Sequence, residues 1–76
     1  MQSTNPTVEG LPVTGSLLAR YVAVQLSPSG REWRVMAQRF TFADIWPAIA
    51  ALDLSRPTRV LDAGYLGRLT VVRSWN

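Results

Sequence analysis

From Leu18 to Leu26 the chain alternates. Val22, Val24 and Leu26 fall on one face and Tyr21, Ala23 and Gln25 on the other, the period of a half-buried strand. Ser27-Pro28-Ser29-Gly30 follows, with proline early and glycine last, as a type I turn prefers. Arg31 to Phe40 then reads as a second strand, with Trp33, Val35 and Ala37 facing one way and Arg34, Met36 and Gln38 the other. Two alternating runs joined by a tight turn predict an antiparallel hairpin.

The period then changes. Ile45, Ile49 and Leu52, joined by Ala48, lie at helical spacing, and Ser55-Arg56-Pro57 stops that run, so a helix should end near Asp53–Leu54. Two starts compete. Thr41 with Asp44 three residues on resembles a capping box. Asp44 as the N-cap instead puts Pro47 in the first turn, where its missing N–H breaks no helical hydrogen bond. Beyond Pro57 the alternation resumes in a short strand, Thr58 to Ala63, and a glycine-bracketed loop, Gly64-Tyr65-Leu66-Gly67. Arg68 to Trp75 closes the series, with Leu69, Val71 and Trp75 on one face and Thr70, Val72 and Ser74 on the other.

This order predicts a small α+β domain, β-β-α-β-β, with one helix packed on a four-stranded antiparallel sheet. That arrangement buries both apolar surfaces most economically. Residues 1–16 hold two prolines and two glycines among polar residues. They read as a flexible N-terminal tail, with a short edge strand at Thr7–Val8 or Val13–Thr14 as the alternative. The domain is then 17–76, and residues 1–12 should be dispensable for folding.

Composition narrows the chemistry. The 76 residues contain no cysteine and no histidine, and all eight basic residues are arginine. These zeros remove disulfides, the commonest zinc ligands, the commonest general base and any Schiff-base lysine. The carboxylates Glu9, Glu32, Asp44, Asp53 and Asp62 are scattered, so neither a catalytic pair nor a metal cluster is indicated. The chain reads as a non-enzyme without cofactor or metal. It lacks an apolar stretch of the roughly 20 residues a membrane span needs, and residues 1–16 carry no signal-peptide pattern. A cytoplasmic location with no membrane partner is expected. The net charge of +3 is modest for its pI near 10.7, and arginine without lysine fits a GC-rich bacterial or phage genome.

Two constellations carry binding chemistry. Tryptophan, tyrosine and arginine dominate protein-binding hot spots; Arg34, Trp46, Tyr65, Leu66, Arg68 and Arg73 are the candidates for contact with a host protein or nucleoprotein complex. Alternatively Arg20, Tyr21, Arg34, Arg39 and Arg73 form a platform for single-stranded nucleic acid on the sheet face opposite the helix, through phosphate charge and base stacking. The helix segment, Phe42 to Leu54, has two acids and no arginine, which argues against groove reading by a helix. A third alternative is a homo-oligomeric structural component, paired through an edge strand. The first reading is preferred: a small inhibitor or adaptor that covers a partner's surface. In layout and composition the chain resembles small accessory proteins of phages and mobile elements, anti-CRISPR inhibitors among them. No motif is shared, and the basic charge departs from the acidic nucleic-acid mimics in that group.

Overall fold

A computed structural model describes residues 6–65 and 68–76, Tyr65 by its backbone alone. The elements are β1 (Thr7–Val8), β2 (Leu11–Thr14), β3 (Tyr21–Leu26), β4 (Trp33–Arg39), α1 (Phe42–Ala50), β5 (Thr58–Tyr65) and β6 (Arg68–Trp75). The strands form one mixed sheet in the order β1-β2-β4-β3-β5-β6, curled into a nearly closed barrel. All neighbours are antiparallel except β2 and β4, which run parallel through Val13↔Trp33 and Thr14↔Arg34.

This corrects the expected four-stranded antiparallel sheet. The two further strands come from the segment read as a tail. Val8 and Val13 are 4% and 1% exposed and belong to the barrel core. The signal was hidden in the turn between them. Glu9 and Gly10 both have positive φ, 52° and 83°, as a two-residue type I′ hairpin requires. Glutamate seldom adopts that conformation, so Glu-Gly does not announce a hairpin as Asn-Gly would. Here Arg59 compensates, donating from Nε and Nη2 to the Glu9 carboxylate at 2.7 and 3.1 Å.

The predicted β3–β4 hairpin is present. Gly30, at φ 73°, closes its turn by donating to the Ser27 carbonyl at 2.9 Å. The β3–β4 ladder shifts register once and the β5–β6 ladder twice, and two of these bulges reset the alternation. Ala23 pairs with Ala37 but Val24 with Val35, so Met36 is the extra residue. Trp33 and Val35 therefore point into the barrel, while Ala37 packs beneath the helix. In β6 the register slips between Val60↔Arg73 and Leu61↔Val71, so Val72 is the extra residue. Leu69 reaches the barrel core, whereas Val72 and Trp75 join the helix side. Strict period-two reading placed Ala37 and Trp75 on the wrong faces for this reason.

Two apolar clusters result, separated by the central strand β3. The inner one is Val8, Val13, Val22, Val24, Trp33 and Leu61; the outer one is Ala23, Val60, Ile45 and Ile49, covered by α1. The face opposite the helix is thus the filled barrel interior. Arg34, Arg39 and Arg73, expected on that face, stand on the helix-bearing one instead.

The helix takes the earlier of its two starts. Thr41 is the N-cap, its hydroxyl accepting from the Asp44 amide at 3.2 Å, and Pro47 consequently lies inside the helix. An interior proline removes a hydrogen bond and costs about 3 kcal/mol. The gain is the placement of Phe42, which packs in the outer cluster with Ile45 and Ile49. The helix ends at Ala50, short of the expected Asp53–Leu54, with Leu52 donating back to the Ile49 carbonyl at 3.0 Å.

Deleting residues 1–12 removes β1, half of β2 and the hydrogen-bond partner of the Trp33 indole. The expected outcome is loss of cooperative thermal unfolding, followed by near-ultraviolet circular dichroism. A deletion variant that melts like the full chain would contradict the six-stranded barrel.

Candidate functional site

The eight arginines divide by how their guanidinium groups are used. Arg59, 12% exposed, grips Glu9, donates to the carbonyls of Thr58 and Trp75, and lies 5.0 Å from the Trp33 ring centre. Arg56 donates to the Leu26 carbonyl at 2.7 Å. Arg20 holds Asp62 through two bonds of 3.2 Å, and its guanidinium sits 5.1 Å from the Tyr21 ring centre. These three serve the fold. Among the described residues, Arg31, Arg34, Arg39, Arg68 and Arg73 form no ion pair.

Three of those five share the outer, helix-bearing face. Arg34 stands opposite Gln25, whose side chain bonds to Thr58 and the Asp53 carbonyl beside α1; Arg39 stands opposite Tyr21, and Arg73 opposite Val60. Across this face runs an edge-to-face row of rings: Tyr21–Phe42 at 5.5 Å, Phe42–Trp46 at 5.4 Å and Trp46–Trp75 at 6.1 Å. Arg73 lies over Phe42 at 5.5 Å. The row forms because α1 presents Phe42 and Trp46 one turn apart, at i and i+4, toward β3 and β6.

A cleft of about 500 Å³ opens at the end of the barrel where β3 begins and β4 ends. Leu17, Leu18, Phe40 and Leu69 supply most of its apolar wall, and Arg20 one rim. Leu18 and Phe40 are each 76% exposed, the highest values among the large apolar side chains described. Their exposure is not slack. The Gln38 side chain accepts from the amides of Leu18 and Ala19 at 2.6 and 3.1 Å and donates to the Ser16 carbonyl at 2.8 Å. The loop is thereby pinned to β4 with its polar backbone groups satisfied. Arg20 passes close to Gly64 as well: a Cβ there would come within 2.8 Å of its Nε, so a larger residue would make the arginine shift.

Of the residues predicted for partner binding, the structure brings Trp46 and Arg73 together through Phe42. Arg34 is on the same face nearer the other end of β4, and Arg68 is exposed at the start of β6. Tyr65 is described only as the last residue of β5, and Leu66 lies outside the described residues. Of the nucleic-acid set, Tyr21, Arg39 and Arg73 stand on the helix side with Arg34 further along it, while Arg20 is at the cleft rim with its guanidinium over the Tyr21 ring. Leu18, Phe40 and Gln38 were missed. Alternation assigned Leu18 and Phe40 to strand termini, and only the packing of two loops at one barrel end makes them neighbours.

Among the described residues no three potential metal ligands lie together, and no helix is long and apolar enough to cross a membrane.

The Arg20 hydrogen bonds, with the Gly64 amide second, hold the Asp62 carboxyl below its usual range. A depressed folded-state value means that this contribution to stability is present above the ordinary carboxylate range near pH 4 and is lost as pH falls through the lowered value. Replacing Arg20 with Gln should raise the Asp62 titration midpoint, read by carboxyl-carbon NMR; an unmoved midpoint would show that Arg20 does not hold the Asp62 carboxylate. Trp46→Ala removes two ring–ring contacts and should cost about 1–3 kcal/mol in denaturant unfolding. An unchanged midpoint would show the row to be energetically idle.

Comparison with protein-family models, with curated proteins and with solved structures returned no match.

Proposed function

We propose that this chain is a small non-enzymatic binding module that acts by covering the surface of a partner protein, with Leu18 and Phe40 as its apolar anchors. One observation carries the reading: the two most exposed large apolar side chains described flank the same cleft. Scattered exposed apolar residues are ordinary, whereas apolar groups gathered around a concavity mark interaction sites. The Gln38 bonds support it further, because a loop held rigid before contact loses little entropy on binding. The row of rings starts at this end of the molecule with Tyr21 and Phe42, and Arg73 lies over Phe42; the row and its arginine supply residue types that dominate hot spots. For an accessory inhibitor of a host complex, such covering is the whole mechanism, and no residue has to perform chemistry.

Single-stranded nucleic acid is the weaker reading. Stacking a base needs an open ring face, and here Arg20 covers one face of Tyr21 and Arg73 one face of Phe42.

The test is a Leu18→Ser/Phe40→Ser double variant. Because both side chains are mostly exposed, its thermal midpoint should stay within about 4 °C of the parent. It should lose the nuclease-resistant, stoichiometric protein partner that the parent recovers from a bacterial host lysate. Retention of that partner would move the interface away from the cleft, and loss of every partner on nuclease treatment would favour nucleic acid.

A further inference from the structure

We infer that the partner surface beside the cleft is acidic: a protein segment presenting an apolar residue flanked by carboxylates, read by Arg39 and Arg73. The inference rests on the protein-binding reading above and adds the chemistry of the partner. Arg39 directly precedes Phe40, so a cleft anchor and a cation are consecutive on the chain. Its Nη1 donates to the Gln38 carbonyl at 2.6 Å, and the Nη1 of Arg73 donates to the Val72 carbonyl at 2.7 Å. Each guanidinium is thus tethered to its own strand through one nitrogen. Among the described residues neither has a second hydrogen-bond partner, which leaves Nε and Nη2 for an incoming group. That edge is the fork which takes a carboxylate with two parallel bonds. The acid of α1, Asp44, forms no ion pair with either group.

The cleft itself offers no charge to such a partner. Arg20 is neutralised by Asp62, and the amides of Leu18 and Ala19 are taken by Gln38. An apolar group suits the concavity and anions suit the ground beside it. A carboxylate-bearing peptide supplies both within a few residues. A nucleic acid supplies the anions, but its bases meet rings already covered on one face by the protein's own cations.

Three probes separate the cases by chemical-shift titration of the backbone amides and the arginine Nε–H groups: a blocked Glu-Glu-Leu-Glu-Glu peptide, its Gln-Gln-Leu-Gln-Gln counterpart, and a ten-residue oligothymidylate. The acidic peptide should shift the Arg39 and Arg73 Nε–H signals together with the Leu18 and Phe40 amides. Binding should weaken at least tenfold in an Arg39→Gln/Arg73→Gln variant, and remain unchanged in Arg31→Gln, which alters an exposed arginine outside this face. Equal binding of the glutamine peptide at Leu18 and Phe40 would overturn the acidic partner while leaving the cleft reading intact. Response to oligothymidylate with none to the acidic peptide would replace carboxylate by phosphate and overturn the inference. No response to either peptide would overturn it as well, and the double variant at the cleft then decides the broader reading by itself.

Discussion

The barrel depends on how Trp33 is held. Its indole N–H donates to the Val8 carbonyl at 2.9 Å within the core, and the Arg59 guanidinium lies against its ring. Arg59 in turn reaches Glu9 in the β1–β2 turn and the Trp75 carbonyl on β6. One tryptophan and one arginine therefore tie the first strand of the sheet to the last. A domain of this size hides a small core and has no disulfide to constrain it, so curling the sheet on itself is an effective way to remove apolar edge from water. The ring buries area, the guanidinium satisfies carbonyls that barrel closure would otherwise leave in poor surroundings, and the carboxylate offsets the charge.

This closure makes the two ends of the barrel unequal. Where β3 ends and β4 begins, Arg59, Trp33 and the β1–β2 turn plug the interior. At the other end the strands give way to loops, and the sheet's apolar lining continues outward through Leu17 and Leu69 to Leu18 and Phe40. A concavity forms there because no equivalent plug is present among the described residues. The bulges at Met36 and Val72 have a related effect. By turning Ala37, Val72 and Trp75 outward they build a second apolar surface for α1 to cover, and the ring row that ends at Trp46 is its partly exposed margin.

Arginine takes two roles on this scaffold, and the distinction is geometric. Where the side chain reaches a carboxylate, as at positions 20 and 59, or a carbonyl far along the chain, as at 56, its rigid fork cross-links segments distant in sequence. Where it stands on a strand flanking α1, as at 39 and 73, its one hydrogen bond among the described residues goes to the preceding carbonyl. Net charge registers neither role.

Read alone, the chain determined the elements whose signals are local. The β3–β4 hairpin follows from alternation about a Pro-Ser-Gly turn, the helix from the spacing of Ile45 and Ile49, and β6 from the alternation of Leu69 and Val71 with Thr70 and Val72. The absence of histidine, cysteine and lysine is also a property of the sequence. What it could not carry are features whose free energy comes from partners far along the chain. Glu9 accepts a left-handed conformation because Arg59, fifty positions on, grips its carboxylate, and with that turn come β1, β2 and the barrel. Period-two reading assigns faces only while register is uninterrupted, and bulges are set by the pairing strand. Leu18 and Phe40 are strand-end residues in one dimension. Only the pinning of the Ser16–Ala19 loop to Gln38, two residues before Phe40, makes them the walls of a single cleft.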